Sequence, residues 1–418
     1  MCVRTAVAAV VVLVGLAGAV AFGFVGTGDV GGDGIENGTL TELWVSEPPT
    51  ALESNHHTPA VAAIDGESFV AVPINSHQGQ TCVLSVLDGS GSERWQRTVA
   101  SEACTVHSVS DPTIADFDDD GDQEVIVATS TKEIVTYDLR TGREEFRHGL
   151  TSYGYSKPLV AGILPAEGSE TVVTDLLGGV FAFRGNGTVA WRQQFEDARV
   201  RQPAIRDFDA DGQPEIAIGQ LGGEAIVLER NGRVAWRTPL PNTTSVKWMA
   251  TGQADEDDPA ELVFATFFGE VMALDGSNGS VEWRRNLSAR SATVHAIGDG
   301  DSDDQAEVYA AARDGRLRSL NAANGSIEWE TTLTSETVLG MPPPGLGDLD
   351  GDGAPELVAV TGNGLVSIVD PITGEIVDSY KREVRLWTFP RIADFDDGHE
   401  EIFVIYGDGR VVALSYSP

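Results

Sequence analysis

The chain has 418 residues, 47 of them glycine, and a formal net charge of −36. Apolar residues make up 41%, enough for a core, so the acidity does not signify disorder, and its sign excludes general affinity for nucleic acid or anionic lipid. Only four of the 28 basic residues are lysine (Lys132, Lys157, Lys247 and Lys381), and a strong acid excess over a folded apolar pattern suits a halophilic surface, where counterions screen self-repulsion.

The chain starts MCVR and continues as an uninterrupted apolar stretch, Thr5 to Val25. As a helix its 21 residues would span about 32 Å, close to the thickness of a bilayer's hydrocarbon core. Arg4 precedes it and Asp29, Asp33 and Glu36 follow, which places the remainder outside the cell. The stretch is long for a signal-peptide core and carries no clean small-x-small cleavage site. Residues 1–26 are therefore expected to be a hydrophobic helix anchoring the chain in a membrane, with a cleaved signal peptide as the alternative, and 27–38 a linker. Six sequons, beginning at Asn37, Asn186, Asn242, Asn278, Asn286 and Asn324, agree with export and glycosylation. Cys82 and Cys104 are the only cysteines outside the leader and are candidates for a disulfide in an oxidising compartment.

After the leader one unit recurs: a short apolar strand, an acidic loop, a continuous apolar run, a Gly turn, an alternating strand, a second Gly turn and a strand around Trp. PTIADFDDDGDQEVIVATSTKEIVTYDLRTGREEFRHGL from Pro112 and PAIRDFDADGQPEIAIGQLGGEAIVLERNGRVAWRTPL from Pro203 are two copies. The Trp position falls at Trp44, Trp95, Phe146, Trp191, Trp236, Trp283, Trp329 and Asp378, spaced 45 to 51 residues apart. Four short strands in a unit of this length make a propeller blade. Runs such as EVIVA, EIAIG, ELVFA and ELVAV suit strands buried on both faces, and the DG, NG and GG steps supply the positive φ of tight hairpins. The last unit, Pro390 to Ser417, stops after its third strand, and Leu40 to Glu47 reads as a lone fourth strand. The expected fold over 39–418 is thus all-β, an eight-bladed propeller of four-stranded antiparallel blades, closed by that N-terminal strand and preceded by the hydrophobic helix.

Between first and second strands the pattern D-x-D-x-D-G-x-x-E is whole at Asp207/Asp209/Asp211/Glu215 and at Asp348/Asp350/Asp352/Glu356. Asp116/Asp118/Asp120/Glu124 adds Asp122 at position seven, and Asp299/Asp301/Asp303/Glu307 has Asp304 in place of the glycine. Alternate carboxylates on a tight loop turn inward and offer the hard oxygen ligands that calcium takes, whereas magnesium wants a stricter octahedron. The fifth copy keeps Asp255, Asp257 and Glu261 behind Gln253, and the eighth, one residue short, keeps Asp394, Asp396 and Glu400. The first and third have lost the loop.

These loops resemble those of FG-GAP and VCBS repeats, and tails such as NGSVEWRRNL and NGSIEWETTL resemble the quinoprotein-type, PQQ-like propeller repeat, here in an acidic haloarchaeal style. The resemblance covers nearly everything after residue 39. It implies calcium held by side chains at positions one, three, five and nine and by the carbonyl at seven. It does not imply the PQQ cofactor: the vicinal cysteines of those enzymes are missing, and the carboxylates sit in blade loops.

Antiparallel turns alternate ends, so the acidic loops share one end of the ring with the third-to-fourth-strand turns. The crossings between blades share the other end with the second-to-third-strand turns. The crossings carry His56, His57, Tyr153, Tyr155, Lys157, Arg199, Arg201, Lys247, Trp248, Arg290, His295, Arg385 and Trp387. In so acidic a chain, this basic and aromatic rim is a candidate site for a protein, an acidic glycan or a carboxylated ligand. On that reading Lys157→Glu with Arg201→Glu abolishes capture and leaves the melting temperature nearly unchanged. No Ser/His/Asp arrangement, P-loop or zinc spacing is present, and His56 beside His57 is not a helical metal pair. A calcium-assisted lyase on acidic polysaccharide is the enzymatic alternative, but it needs base and metal together, and the turns put them at opposite ends. The expected function is a non-catalytic extracellular binding or scaffold module, secreted or tethered to the extracellular face of the cell membrane, with calcium as its brace.

Overall fold

The computed structural model describes residues 38–48, 55–76, 81–165, 168–195, 203–240, 246–255, 259–395 and 398–417. The leader helix expected over 1–26 lies outside them, and among the described residues no helix is long and apolar enough to cross a membrane. The one helical turn described is a 3-10 turn at Ser101–Ala103.

The described strands form eight four-stranded antiparallel sheets. Seven are continuous in sequence: blade 1 (60–99), blade 2 (113–149), blade 3 (159–194), blade 4 (204–239), blade 5 (246–286), blade 6 (293–332) and blade 7 (345–381). In blade 8, strands Arg391–Asp394, Glu400–Ile405 and Val411–Ser417 are completed by Thr39–Val45. That strand pairs antiparallel with Val411–Ser417, Thr39 opposite Ser417 and Val45 opposite Val412. The first strand of each blade touches the first strands of both neighbours all the way round, so these short strands line the axis of a closed ring.

The second strands are buried on both faces, as their unbroken apolar sequences require: Glu124–Ala128, Glu261–Thr266 and Glu356–Val360 are buried at every position. The core is divided among the blade interfaces. Ala71, Val86 and Trp95 of blade 1 pack with Val125 and Val127 of blade 2. Val70 and Val72 of blade 1 pack with Phe403 and Val411 of blade 8, which seals the ring.

The recurring tryptophan latches one blade to the next. The indole Nε1 of Trp95 donates to the Leu139 carbonyl (2.8 Å), that of Trp191 to Arg230 (2.9 Å), that of Trp236 to Gly276 (2.7 Å) and that of Trp329 to Pro371 (2.7 Å). Each acceptor lies in or beside the third-to-fourth-strand turn of the following blade. The indole face lies where a side chain on that turn's glycine would go: a Cβ on Gly325 would sit 2.4 Å from Trp283 Cε3, and φ there is +67°. At the one polar position of the series, Asp378 accepts instead from the Leu40 N–H (2.7 Å), binding blade 7 to the closing strand. Trp283, 7% exposed, donates to the Ala322 carbonyl. Trp283→Phe is expected to leave that carbonyl unpaired and cost about 1–3 kcal/mol. Trp283→Ala, which also opens a cavity, should cost about 3–5 kcal/mol, both read from denaturant unfolding.

Candidate functional site

The two ends of the ring differ as the alternation of turns requires. The acidic loops lie against third-to-fourth-strand turns: a Cβ on Gly185 of blade 3 would be 2.9 Å from Asp118 Cα of blade 2. The crossings lie against second-to-third-strand turns, with Gly407 N donating to the Arg385 carbonyl (2.7 Å) and Arg313 N to that of Arg290 (2.9 Å).

In the acidic loops the ninth-position glutamate has a structural task that its sequence pattern did not reveal. One carboxylate oxygen accepts the backbone N–H at position two. Phe117 donates to Glu124 (2.7 Å), Phe208 to Glu215 (2.8 Å), Gly300 to Glu307 (2.9 Å), Leu349 to Glu356 (2.7 Å) and Ala254 to Glu261. Blade 3, which lacks the aspartates, keeps the device: Ile163 N donates to Glu170 at 3.1 Å. The first-position aspartate ties the turn, Gly212 N donating to Asp207 Oδ2 (2.8 Å) and Gly353 N to Asp348 Oδ2 (3.1 Å).

The remaining oxygens crowd. Ligand atoms of Asp116, Asp118 and Glu124 lie within 4.8 Å of one another, as do those of Asp207, Asp209 and Glu215 and those of Asp299, Asp301 and Asp303. In blade 5 the group is Asp255, Glu261 and Glu282, the last supplied by the fourth strand. Burial above all, reinforced by neighbouring aspartate charge and offset by the loop N–H, pushes Glu124, Glu307 and Glu356 up to about 8 and Glu215 up to about 7. Asp301 is raised to about 6 by burial and by Asp303 and Asp299. Asp116 Oδ1 and Glu261 Oε1 are buried without a hydrogen-bond partner, as oxygens waiting for a cation would be. The residues therefore fit a calcium ion in blades 2, 4, 5 and 6. Asp120 and Asp352 accept from the second N–H beyond them (Asp122 N to Asp120, 2.9 Å; Ala354 N to Asp352, 2.7 Å), as does Asp211 (Gln213 N, 2.8 Å). Asp122 is exposed and Asp350 is raised by burial. Blade 8 departs from the sequence expectation: its register sets Glu401, buried, where the ninth-position glutamate stands elsewhere (Ala393 opposite Glu401, as Arg206 is opposite Glu215), because the loop is one residue short. Glu400, one place earlier, instead accepts from Asp348 N of blade 7 (2.8 Å), while Asp394 accepts from Gly398 N (3.3 Å). Asp257 and Asp396 lie outside the described residues.

At the crossing end the rim divides. Arg290 and Arg385 are exposed, the latter with its guanidinium 5.7 Å from the Trp387 ring. A cleft of ≈ 230 Å³ at the crossing end of blade 7, between the crossings that enter and leave it, is lined by Leu339, Asn363, Glu383, Arg385 and Trp387 among others. Lys247, Trp248 and His295 lie not in crossings but on the innermost strands of blades 5 and 6, Val246–Gly252 and Thr293–Gly298. Lys247 Nζ donates to Ser291 Oγ (3.3 Å), and Trp248 and His295 pack on Phe389, ring centres 5.8 and 4.7 Å away. Lys157 is only 8% exposed. Burial and the charge of Arg391 hold its amine well below the usual range, against the pull of Asp111. The Lys157→Glu substitution would thus disturb the channel wall, and it does not separate ligand capture from stability as the sequence suggests. Arg199 and Arg201 lie outside the described residues.

Arg391, on the innermost strand of blade 8, escaped the sequence reading, although it could have been found. Pro59, Pro112, Pro158, Pro203, Pro344 and Pro390 directly precede innermost strands, and only the last is followed by a charge. Cys82 and Cys104 are joined as a disulfide with Cα atoms 5.4 Å apart, tying the crossing from blade 1 to blade 2 onto blade 1's third strand.

Fold and site define an eight-bladed propeller of PQQ-like repeats. The family model described as "Outer membrane protein assembly factor BamB" matches residues 120–256 and 258–417, and the chain belongs to that family. No curated protein matches. Among solved structures, the chain is similar to BamB from Moraxella catarrhalis, 18% identical over 90% of this chain and 98% of that one, TM-score 0.61. It is also similar to the V. cholerae biofilm matrix protein Bap1, 14% identical over 91% of both chains, TM-score 0.67. A third likeness is to the computationally designed Ika8 protein, 14% identical over 87% of this chain and 98% of that, TM-score 0.59. The fold is of the kind consistent with a non-catalytic binding or scaffold module.

Proposed function

We propose that the chain is an extracellular, non-catalytic binding or scaffold propeller, braced by calcium at one end and taking an anionic partner at the other. The observation that carries this reading is the division of charge. The clustered carboxylates occupy one end, and Arg290, Arg385, Lys247 and the aromatic rings of Trp248 and Trp387 occupy the other. The carboxylate loops and this rim lie at opposite ends, which does not suit a calcium-assisted lyase but does suit a rigid ring that docks a partner through the exposed Arg290 and Arg385. The partner is a protein surface or glycan rich in carboxylates. The family's description as an assembly factor supports the protein. Export is supported by the disulfide and by the sequon asparagines Asn186, Asn278, Asn286 and Asn324, all exposed. The apolar leader would hold the ring at the outer face of the membrane or be removed on secretion, and the acid excess suits a salt-rich medium.

Exposed arginines give the clean test. Arg290→Glu with Arg385→Glu is expected to weaken binding to an immobilised uronate polymer and to an immobilised acidic polypeptide by at least about tenfold, with no change in melting temperature beyond that of a surface substitution. Equal binding by both proteins would overturn the docking face. Release of unsaturated sugar from the polymer would overturn the non-catalytic assignment.

A further inference from the structure

His56 and His57 follow the closing strand, and His107 lies 50 residues beyond His57 in the next crossing. The ring brings them together. His107 Nδ1 is 3.1 Å from His56 Nε2 and 3.2 Å from His57 Nε2, and ligand nitrogens of all three lie within 4.8 Å of one another. A tetrahedral ion with metal–nitrogen bonds of 2.0–2.1 Å spaces its ligand nitrogens about 3.3 to 3.4 Å apart, close to the two distances from His107 Nδ1.

The protonation of the rings points the same way. His57 Nδ1 lies 2.8 Å from Asp111 Oδ1, and the carboxylate also accepts from Thr58 N at 3.0 Å. In neutral His57 the proton therefore sits on Nδ1, and Nε2 presents a lone pair to His107. His57 Nε2 and His56 Nε2 thus both face His107 Nδ1, a contact of three imidazoles that one shared cation would organise. A ligating histidine whose other nitrogen is held by a carboxylate is the usual support of a metal site.

The surroundings are built for it. His57 is 4% exposed and Asp111 half-buried. The crossing that carries His107 is pinned three residues upstream by the Cys82–Cys104 disulfide, and by Thr105 N donating to Ser108 Oγ (2.6 Å) and Ser130 Oγ to the Ala103 carbonyl (2.7 Å). The Tyr155 ring closes one side, 4.8 Å from the His107 ring.

We propose that His56, His57 and His107 form a binding site for a divalent ion of zinc's class, oriented by Asp111, at the crossing end of the ring. Imidazole selects zinc, copper or nickel over calcium, so this site and the acidic loops sort different ions. Three protein ligands leave one position open to water or to a carboxylate of the partner.

The test uses the full chain, freed of metal, resaturated with calcium and titrated with zinc alone. One zinc per chain is expected to bind beyond the calcium sites. Its X-ray absorption edge should show three imidazole nitrogens, a readout that needs no variant. His107→Ala and, separately, His56→Ala should weaken binding at least 100-fold, and Asp111→Asn roughly 10- to 100-fold. Circular dichroism and melting temperature establish that each variant is folded. Absence of that zinc, an all-oxygen shell, or undiminished affinity in a folded His107→Ala protein would overturn the site.

Discussion

Deleting Thr39–Val45 is expected to destabilise the ring by about 5 kcal/mol or more and to make the remaining chain associate. The strand supplies an antiparallel ladder to Val411–Ser417 and the Trp44 ring 6.1 Å from Phe403. It also holds the neighbouring blade through Leu40 N to Asp378 and through Tyr380 donating to Glu42. Without it the apolar strand VVALSYS becomes an open edge, and the Gly91 turn of blade 1 loses the indole it packs against. Thermal unfolding followed by circular dichroism, with size-exclusion chromatography, measures both effects. Leu43→Ser is the control. Leu43 is 46% exposed on the same strand and should shift stability by no more than about 0.5 kcal/mol. A deleted chain that melts like the intact one and elutes at the same position would mean that closure contributes nothing.

That strand is also where the sequence was most legible. The phase of Trp44 in the repeat is a local pattern, and it specifies a long-range pairing. The blade ends were legible for the same reason: antiparallel turns alternate, so a residue's end of the ring follows from its place in the repeat. What the pattern could not carry was geometry across repeats. His107 stands 50 residues from His57 in an equivalent crossing, and only ring curvature brings such crossings together. Glu282 reaches the fifth loop from a fourth strand, and in the shortened eighth loop the register gives the ninth-position place to Glu401 and turns Glu400 to Asp348 of blade 7, both consequences of how adjacent strands and wedged blades stack. Burial was hidden too. Lys157 reads as a rim cation in a short connector, yet the inner wall covers it. The ninth-position glutamate reads as a ligand alone, and Glu170 shows that it braces the loop even where no aspartates remain.

Removal of calcium is expected to have an effect of comparable size. An ion that binds only the folded loop adds about 2.7 kcal/mol per site at a hundredfold excess over its dissociation constant, so several occupied blades together outweigh any single core substitution. A chelator should lower the melting temperature steeply, and calcium, not magnesium, should restore it. The cause lies in the loops, where carboxylate oxygens crowd within 4.8 Å and some, such as Asp116 Oδ1, are buried without a hydrogen-bond partner. Glu124, Glu307 and Glu356 are raised from 4.5 to about 8, so the folded metal-free protein holds protons that the unfolded chain releases. Their contribution to stability is fully present below pH 4.5 and is lost as pH rises through 8. The metal-free protein is therefore expected to weaken across that window, and calcium, by favouring the ionised carboxylates, to flatten or reverse the slope. Asp207→Asn with Asp209→Asn removes two of the three clustered ligands in blade 4 and should abolish one calcium equivalent while leaving the others. The same calcium stoichiometry before and after that change, or a melting temperature indifferent to chelation, would strip the loops of their metal and leave Glu215 as a loop brace alone.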